Sequence, residues 1–101
     1  MLGESYAEGK GVPQDYAEAV KWFRKAAEQG SATAQYSLGW CYAEGEGVPK
    51  DDVLAYMWLN LAAASGNEDA KTSRETVSKR MTAEQIAEAQ KLSREWMQKN
   101  Q

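Results

Sequence analysis

Between Tyr16 and Ala27 the apolar residues Tyr16, Ala19, Val20, Trp22, Phe23, Ala26 and Ala27 fall mostly at three- and four-residue spacings, with Glu18, Lys21, Arg24, Lys25 and Glu28 on the other side. That period gathers one stripe of side chains and predicts an amphipathic helix with the stripe turned inward. Asp15 supplies an N-cap, Glu18 three residues on completes a capping box, and Gly30 ends the helix. The same signals predict further helices. Leu2 to Glu8 reads as the last two turns of one, stopped by Gly9 and Gly11. Ala32 to Glu44 is another, with Ala34, Leu38, Gly39 and Tyr42 inward. Asp51 to Ser65 begins on a capping aspartate and ends at Gly66, and Glu68 to about Lys79 is helix-like. Thr82 with Gln85 forms a capping box that opens a last helix to about Lys99, with Ile86, Ala89, Leu92, Trp96 and Met97 on one side. At ~1.5 Å per residue this helix is ~27 Å long.

The first elements are copies of later ones. An offset of 36 residues relates Leu2, Gly3, Tyr6, Ala7, Glu8, Gly9, Gly11, Val12 and Pro13 to Leu38, Gly39, Tyr42, Ala43, Glu44, Gly45, Gly47, Val48 and Pro49. The same offset carries Asp15, Ala19, Trp22, Ala26, Ala27, Gly30 and Ala34 to Asp51, Ala55, Trp58, Ala62, Ala63, Gly66 and Ala70. A period between about 20 and 50 residues marks a solenoid, in which one supersecondary unit stacks on its copies. The predicted fold is all-α: an α-α superhelix of antiparallel helix pairs closed by a long C-terminal capping helix. Residues 1–101 form one solenoid domain, divided into a partial first repeat (1–30), a full second repeat (31–66) and a degenerate third repeat with the cap (67–101). Ser31 to Ser37 precede Leu38, whereas only Met1 precedes Leu2, so the chain reads as starting inside a repeat: a fragment, a trimmed chain, or a solenoid with a short first helix.

Departures from the repeat carry their own information. Glu18, Lys21, Lys25 and Glu28 of the first copy become Leu54, Met57, Leu61 and Ala64, leaving only Asn60 polar among the matching positions. A helix apolar nearly all round is covered nearly all round. The expected cover is the long terminal helix; a second copy of the chain, meeting this face or the unfinished N-terminal helix, is the alternative. Glycine in mid-helix costs ~1 kcal/mol relative to alanine. Its recurrence at Gly3 and Gly39 therefore implies a close helix contact that a larger side chain would overpack.

Composition narrows the function by exclusion. The 12 basic and 15 acidic residues of the 101-residue chain are spread over both halves for a net charge of -3, so there is neither a basic nucleic-acid stripe nor a polybasic membrane patch. The longest apolar stretch, Val53 to Ala64, is interrupted by Asn60 and falls short of the ~20 residues that span a bilayer. Gly3, Glu4, Ser5 and Glu8 leave no room for a signal peptide, so the chain as given reads as cytoplasmic, or as exported if a leader preceded Met1.

No catalytic centre, metal or cofactor is expected. There is no histidine to act as a base or ligand, and the lone thiol, Cys41, reads as a small buried hydrophobe. Glu4 with Glu8, and Glu84 with Glu88, have the spacing that puts two carboxylates on one helical face, which is ordinary on solvated helices. Glycines 9, 11, 45 and 47 do not form a phosphate loop, because no strand precedes them and no Lys-Ser or Lys-Thr follows.

The run Ala34-Gln35-Tyr36-Ser37-Leu38-Gly39, then Tyr42, Gly45, Gly47 and Val48, followed by Asp51, Ala55, Trp58, Ala62-Ala63 and Gly66, resembles the Sel-one-like repeat over residues 2 to 70. Residues 71 to 101, including Met81 to Ala89, look like the cap with which bacterial members finish. The resemblance implies stacked antiparallel pairs like those of tetratricopeptide repeats with a longer glycine-bearing loop, a bacterial source, and an adaptor role holding other proteins. With one full pair and two partial ones, a long peptide-binding arc is not expected. Relatives with a cysteine pair in each repeat have been linked to penicillin binding or hydrolysis; the single Cys41 departs from that pattern and makes a hydrolase the least favoured reading.

In stacked pairs the first helix of each pair lines the concave side, and its non-repeating outward positions can encode specificity. Thr33, Tyr36, Ser37, Trp40 and Glu44 share such a face. Trp40 matches Glu4 in the first copy and Thr76 in the third, so it lies outside the repeated core pattern. It either packs on the neighbouring helix or anchors a groove flanked by Glu4, Glu8 and Glu44 on one side and by Thr72, Thr76 and Arg80 on the other. The candidate binding residues are therefore Tyr36, Trp40, Glu44, Glu4, Glu8, Thr72 and Thr76, and the expected ligand is a protein or an apolar peptide with basic flanks. The expected role is a non-catalytic adaptor or scaffold, with self-assembly as the alternative.

Overall fold

Helices begin where a short polar side chain can satisfy the free N–H groups of a first turn, and this rule sets every helix start among the described residues. The computed structural model describes residues 15–100. In them lie α1 (Tyr16–Glu28), α2 (Ala32–Glu44), α3 (Asp52–Ala64), α4 (Glu68–Ser78) and α5 (Ala83–Lys99). Asp15, Ser31, Asp51, Asn67 and Thr82 each accept a hydrogen bond from the backbone N–H three residues on, at 2.9 to 3.2 Å. The capping box at Thr82 is complete, since its own N–H donates to Gln85 Oε1 at 2.9 Å. At Asp15 only the first half is made: the Glu18 carboxylate lies 3.7 Å from Lys21 Nζ, one turn on, instead of returning to the cap. The helix read at Leu2 to Glu8, with Gly3, Gly9 and Gly11, lies outside the described residues.

α1 packs on α2, α2 on α3 and α3 on α4, whereas α5 returns to pack on α3 and not on α4. The α2–α3 contact is set by Gly39: a Cβ built there would sit 2.8 Å from Leu59 Cγ and 3.2 Å from the Ala55 carbonyl oxygen. At the α1–α2 turn, Gln35 is buried and its side-chain amide donates to the Ala27 carbonyl at 3.2 Å. Arg24 reaches Tyr42 Oη at 2.7 Å, and Arg74 of α4 reaches Asn60 of α3 at 2.8 Å. Asn60, the polar residue retained on an apolar helix, thus has a charged partner.

The terminal helix covers the outer face of α3. Of the four outer-face residues Met57 and Leu61 are buried, Leu54 is half-buried and Ala64, at the end of α3, is exposed; Ile86, Leu92 and Trp96 pack against the core, and Trp96 meets the buried Trp58 edge-on at 6.1 Å between ring centroids. Two members of the expected stripes are turned out. Met97 is exposed because the buried face of α5 runs through Ala89, Ser93 and Trp96, and the next residue lies ~100° further round the helix. Trp22 is 45% exposed although it matches Trp58 in the repeat. What buries Trp58 is a ring from α5, whereas α1 packs chiefly on α2.

Candidate functional site

The concave side is built by α2 and α4. Tyr36 and Trp40 stand one turn apart on α2, and opposite them α4 presents Thr72, Ser73, Thr76 and Val77. Leu59 and Ala43 form the floor of a cleft of about 320 Å³, with Glu44 and Arg80 at one end. Five of the residues singled out from the sequence, Tyr36, Trp40, Glu44, Thr72 and Thr76, line this one cleft. Glu4 and Glu8 lie outside the described residues. Thr33 and Ser37, on the same helix, are not among the lining residues.

Trp40 satisfies both of its sequence readings in part. Its ring is tilted against Tyr16 at 6.0 Å between centroids and 38° between planes, yet 36% of the residue is exposed. Tyr16, which the periodicity assigned only to the stripe of α1, is the neighbour that sequence reasoning missed. It is held by the glycine loop: Gly47 has φ +78°, and a Cβ there would run into the Tyr16 carbonyl. No spacing rule relates a loop after α2 to the first turn of α1. The floor residues Leu59 and Val77 were also missed, although Val77 stands out as an apolar residue on the polar α4.

Arg80, expected as a flank of the groove, lines the cleft and is also a structural tie. Its Nη2 donates to the Ala43 carbonyl in the last turn of α2 at 2.8 Å, and its Nε donates to Asp52 Oδ1 in the first turn of α3 at 3.0 Å. A cation suits the negative end of α2 and an aspartate the positive start of α3. The threonines are committed in another way. Thr72 and Thr76 donate their hydroxyl protons to the carbonyls of Glu68 and Thr72, at 3.4 and 3.2 Å, so toward the cleft each offers only acceptor lone pairs. Among the described lining residues the Glu44 carboxylate is the one anionic group, beside the Tyr36 and Ser73 hydroxyls and the Trp40 indole N–H.

Chemistry beyond recognition finds little support. Cys41 is fully buried, and burial, with the nearby Glu46 carboxylate adding to it, pushes the thiol up to about 11, the wrong direction for a nucleophile. Among the described residues no three His, Cys, Asp or Glu side chains gather where they could hold a metal. No helix among them is long and apolar enough to cross a membrane.

The spacing of capped helices and glycine loops has a known counterpart. The Sel1 repeat model matches residues 1–31 and again residues 32–67. The chain belongs to the Sel1-repeat family. Its fold is that of solved Sel1-repeat solenoids. The structure of a protective antigen of uropathogenic Escherichia coli, displaying an SLR fold, superposes with a TM-score of 0.92 at 39% identity, over 98% of this chain and 21% of that one. A Sel1 repeat protein from Oxalobacter formigenes gives a TM-score of 0.72 at 49% identity, over 75% of this chain and 22% of that one. The chain thus spans about a fifth of each of these proteins. No curated protein matches it significantly. Sel1 repeats are protein-interaction scaffold modules, in general without catalysis of their own.

Proposed function

We propose that this Sel1-repeat chain is an adaptor that binds a protein segment in the α2–α4 cleft, with Trp40 as the apolar anchor and Glu44 as the charged one. The supporting observation is the convergence of Tyr36, Trp40, Glu44, Thr72 and Thr76 on one cleft, in which a part-exposed indole lies one turn from a carboxylate. Its one cation among the described residues, Arg80, is engaged with Asp52 and Ala43. The ligand that suits this pair is a lysine or arginine side chain, whose alkyl stem lies on Tyr36 and whose charged head is attracted both by the Trp40 face and by Glu44. A neighbouring apolar residue of the ligand fills the space over Leu59 and Val77. Such an anchor is worth about 2 kcal/mol or more when a buried aromatic carries it.

Selection of peptides from a displayed random library, run against the wild-type protein and against Trp40→Ala, tests the reading. Enrichment of a basic residue beside an apolar one, with affinity lost in Trp40→Ala and reduced in Glu44→Gln while helicity is kept, is the expected result. Peptides that bind the two variants as well as the wild type would refute the site.

A further inference from the structure

The tie between α2 and α3 does not use every donor of Arg80. A guanidinium is a rigid planar fork of N–H groups. Nε donates to Asp52 Oδ1 at 3.0 Å, and Nη2, 2.9 Å from the same oxygen, donates to the Ala43 carbonyl at 2.8 Å. Nη1, on the other edge of the plane, has no hydrogen-bond partner among the described residues. The side chain is 37% exposed and lines the concave cleft.

A free surface arginine loses rotamer freedom when it meets a ligand. Arg80 has lost that freedom already, because bonds to two helices fix its plane, and its open edge is therefore preorganised. Glu44, one 36-residue repeat earlier, lies at the same end of the cleft and makes no ion pair with Arg80 or with any other described residue. With Arg80 held by Asp52 and Ala43, this end of the cleft presents an unpaired acceptor and an unpaired donor side by side. Asp52 already shares the charge of Arg80. The oxygen that suits Nη1 is thus a neutral carbonyl, since another carboxylate would be repelled by Asp52 and Glu44.

We infer that Arg80 is a specificity-determining contact of the cleft, whose Nη1 edge donates to the main-chain carbonyl of the ligand's basic residue while the side chain of that residue reaches Glu44. The inference rests on the reading of the cleft as a protein-segment site and names the ligand group that Arg80 meets. It also fixes the form of the segment. A helical ligand turns its carbonyls along its own axis into its own hydrogen bonds, so the segment that offers one sideways is extended. The basic residue is internal to the segment, because at a C-terminus its carbonyl would become the carboxylate that Asp52 and Glu44 oppose.

The test uses the fluorescein-labelled peptide amide Ser-Leu-Lys-Ser and three analogues, titrated by anisotropy. In the first, an (E)-alkene replaces the bond after lysine and removes its carbonyl; in the second, an ester keeps an oxygen there and removes only the N–H. The third ends at lysine as a free acid. The wild type binds the alkene about tenfold more weakly than the parent, the effect of one hydrogen bond to a charged group. It binds the ester within about threefold of the parent, and the free acid more weakly than the parent. In Arg80→Ala, shown by circular dichroism to be folded at the assay temperature, the parent weakens about tenfold and the alkene binds as the parent does, a coupling that a purely structural arginine would not produce. Equal affinity of the wild type for alkene and parent would overturn the inference without recourse to any variant; so would an alkene loss that persists in Arg80→Ala, or a free acid that binds more tightly than the amide. Trp40→Ala separates the two levels of the reading. Parent binding that ignores Trp40→Ala would refute the cleft itself and the inference with it, whereas Trp40-dependent binding with equal alkene affinity would refute the role of Arg80 alone.

Discussion

Gly39 of α2 faces Leu59 of α3 so closely that a single methyl group at position 39 would lie 2.8 Å from Leu59 Cγ and 2.9 Å from Cδ2. Two effects compete in Gly39→Ala: alanine favours the helix by ~1 kcal/mol, and the overpacked contact costs ~1 to 3 kcal/mol. The clash wins, because the obstructing atoms include the branch point of a buried leucine and the backbone oxygen of Ala55. Gly39→Ala should lose about 1 kcal/mol net, a fall of about 4 to 8 °C in Tm. In a Leu59→Ala background, where the Ala55 carbonyl oxygen at 3.2 Å still crowds position 39, the same change should cost less, and a double-mutant cycle by urea unfolding measures the difference.

Trp22 and Trp58 occupy one position of the repeat and should behave oppositely. Trp58→Ala empties a buried site and breaks the edge-on contact with Trp96, so a loss of ~3 to 5 kcal/mol is expected. Trp22→Ala, at an exposed position, should cost below ~1 kcal/mol. Denaturation midpoints of the two variants separate the cases.

Arg80 joins the end of α2 to the start of α3 through bonds only partly shielded from water. After allowance for solvent screening of the exposed ion pair, Arg80→Ala should cost about 1 to 2 kcal/mol. Arg80→Lys should recover less than half of that, because one ammonium cannot point at the Ala43 carbonyl and at Asp52 in the arginine's forked geometry. Thermal unfolding at low and high salt checks both expectations: the deficit of the alanine variant should narrow as salt screens Asp52.

Cys41 makes stability depend on alkaline pH. Its thiol titrates near 9 when the chain is unfolded and at about 11 when folded, so between those values the folded state holds a proton that the unfolded state has released. The stabilising contribution is whole below pH 9 and disappears as pH rises through 11, amounting to on the order of 2 kcal/mol. Unfolding free energies measured from pH 8.5 to 11 should fall more steeply for the wild type than for Cys41→Ala. At neutral pH the thiol should react with a disulfide reagent only after denaturant is added.

Which parts of this molecule were legible in the sequence follows from how far each signal reaches. Asp51 and Thr82 announce helix starts through bonds three residues away, and the offset of 36 transfers each element to its copy. The line Tyr36, Trp40, Glu44 follows from the helical period alone, and Thr72 and Thr76 follow from stacking the next copy beside it. Tyr16 against Trp40 does not follow, because it is brought there by a loop whose path depends on Gly47 resting on the first turn of α1. Nor does the fate of Trp22, since the repeat equates it with Trp58 while burial depends on the helix outside. Arg80 was legible as a flank of the groove but not as a tie, because its partners, Ala43 and Asp52, are 37 and 28 residues away. Local chemistry is written at short range, and the neighbours that complete a site are written in the packing.

The outer face of α3 depends on a helix that comes after it in the chain. A nascent polypeptide emerges N-terminus first, so α3 is complete and capped while the residues of α5 are still being joined. Throughout that interval Met57, Trp58 and Leu61, buried in the finished molecule, are a greasy ridge open to chaperones and to other unfinished chains. A message truncated before Thr82 would make this state permanent, and its product should be soluble only in a chaperone's grip.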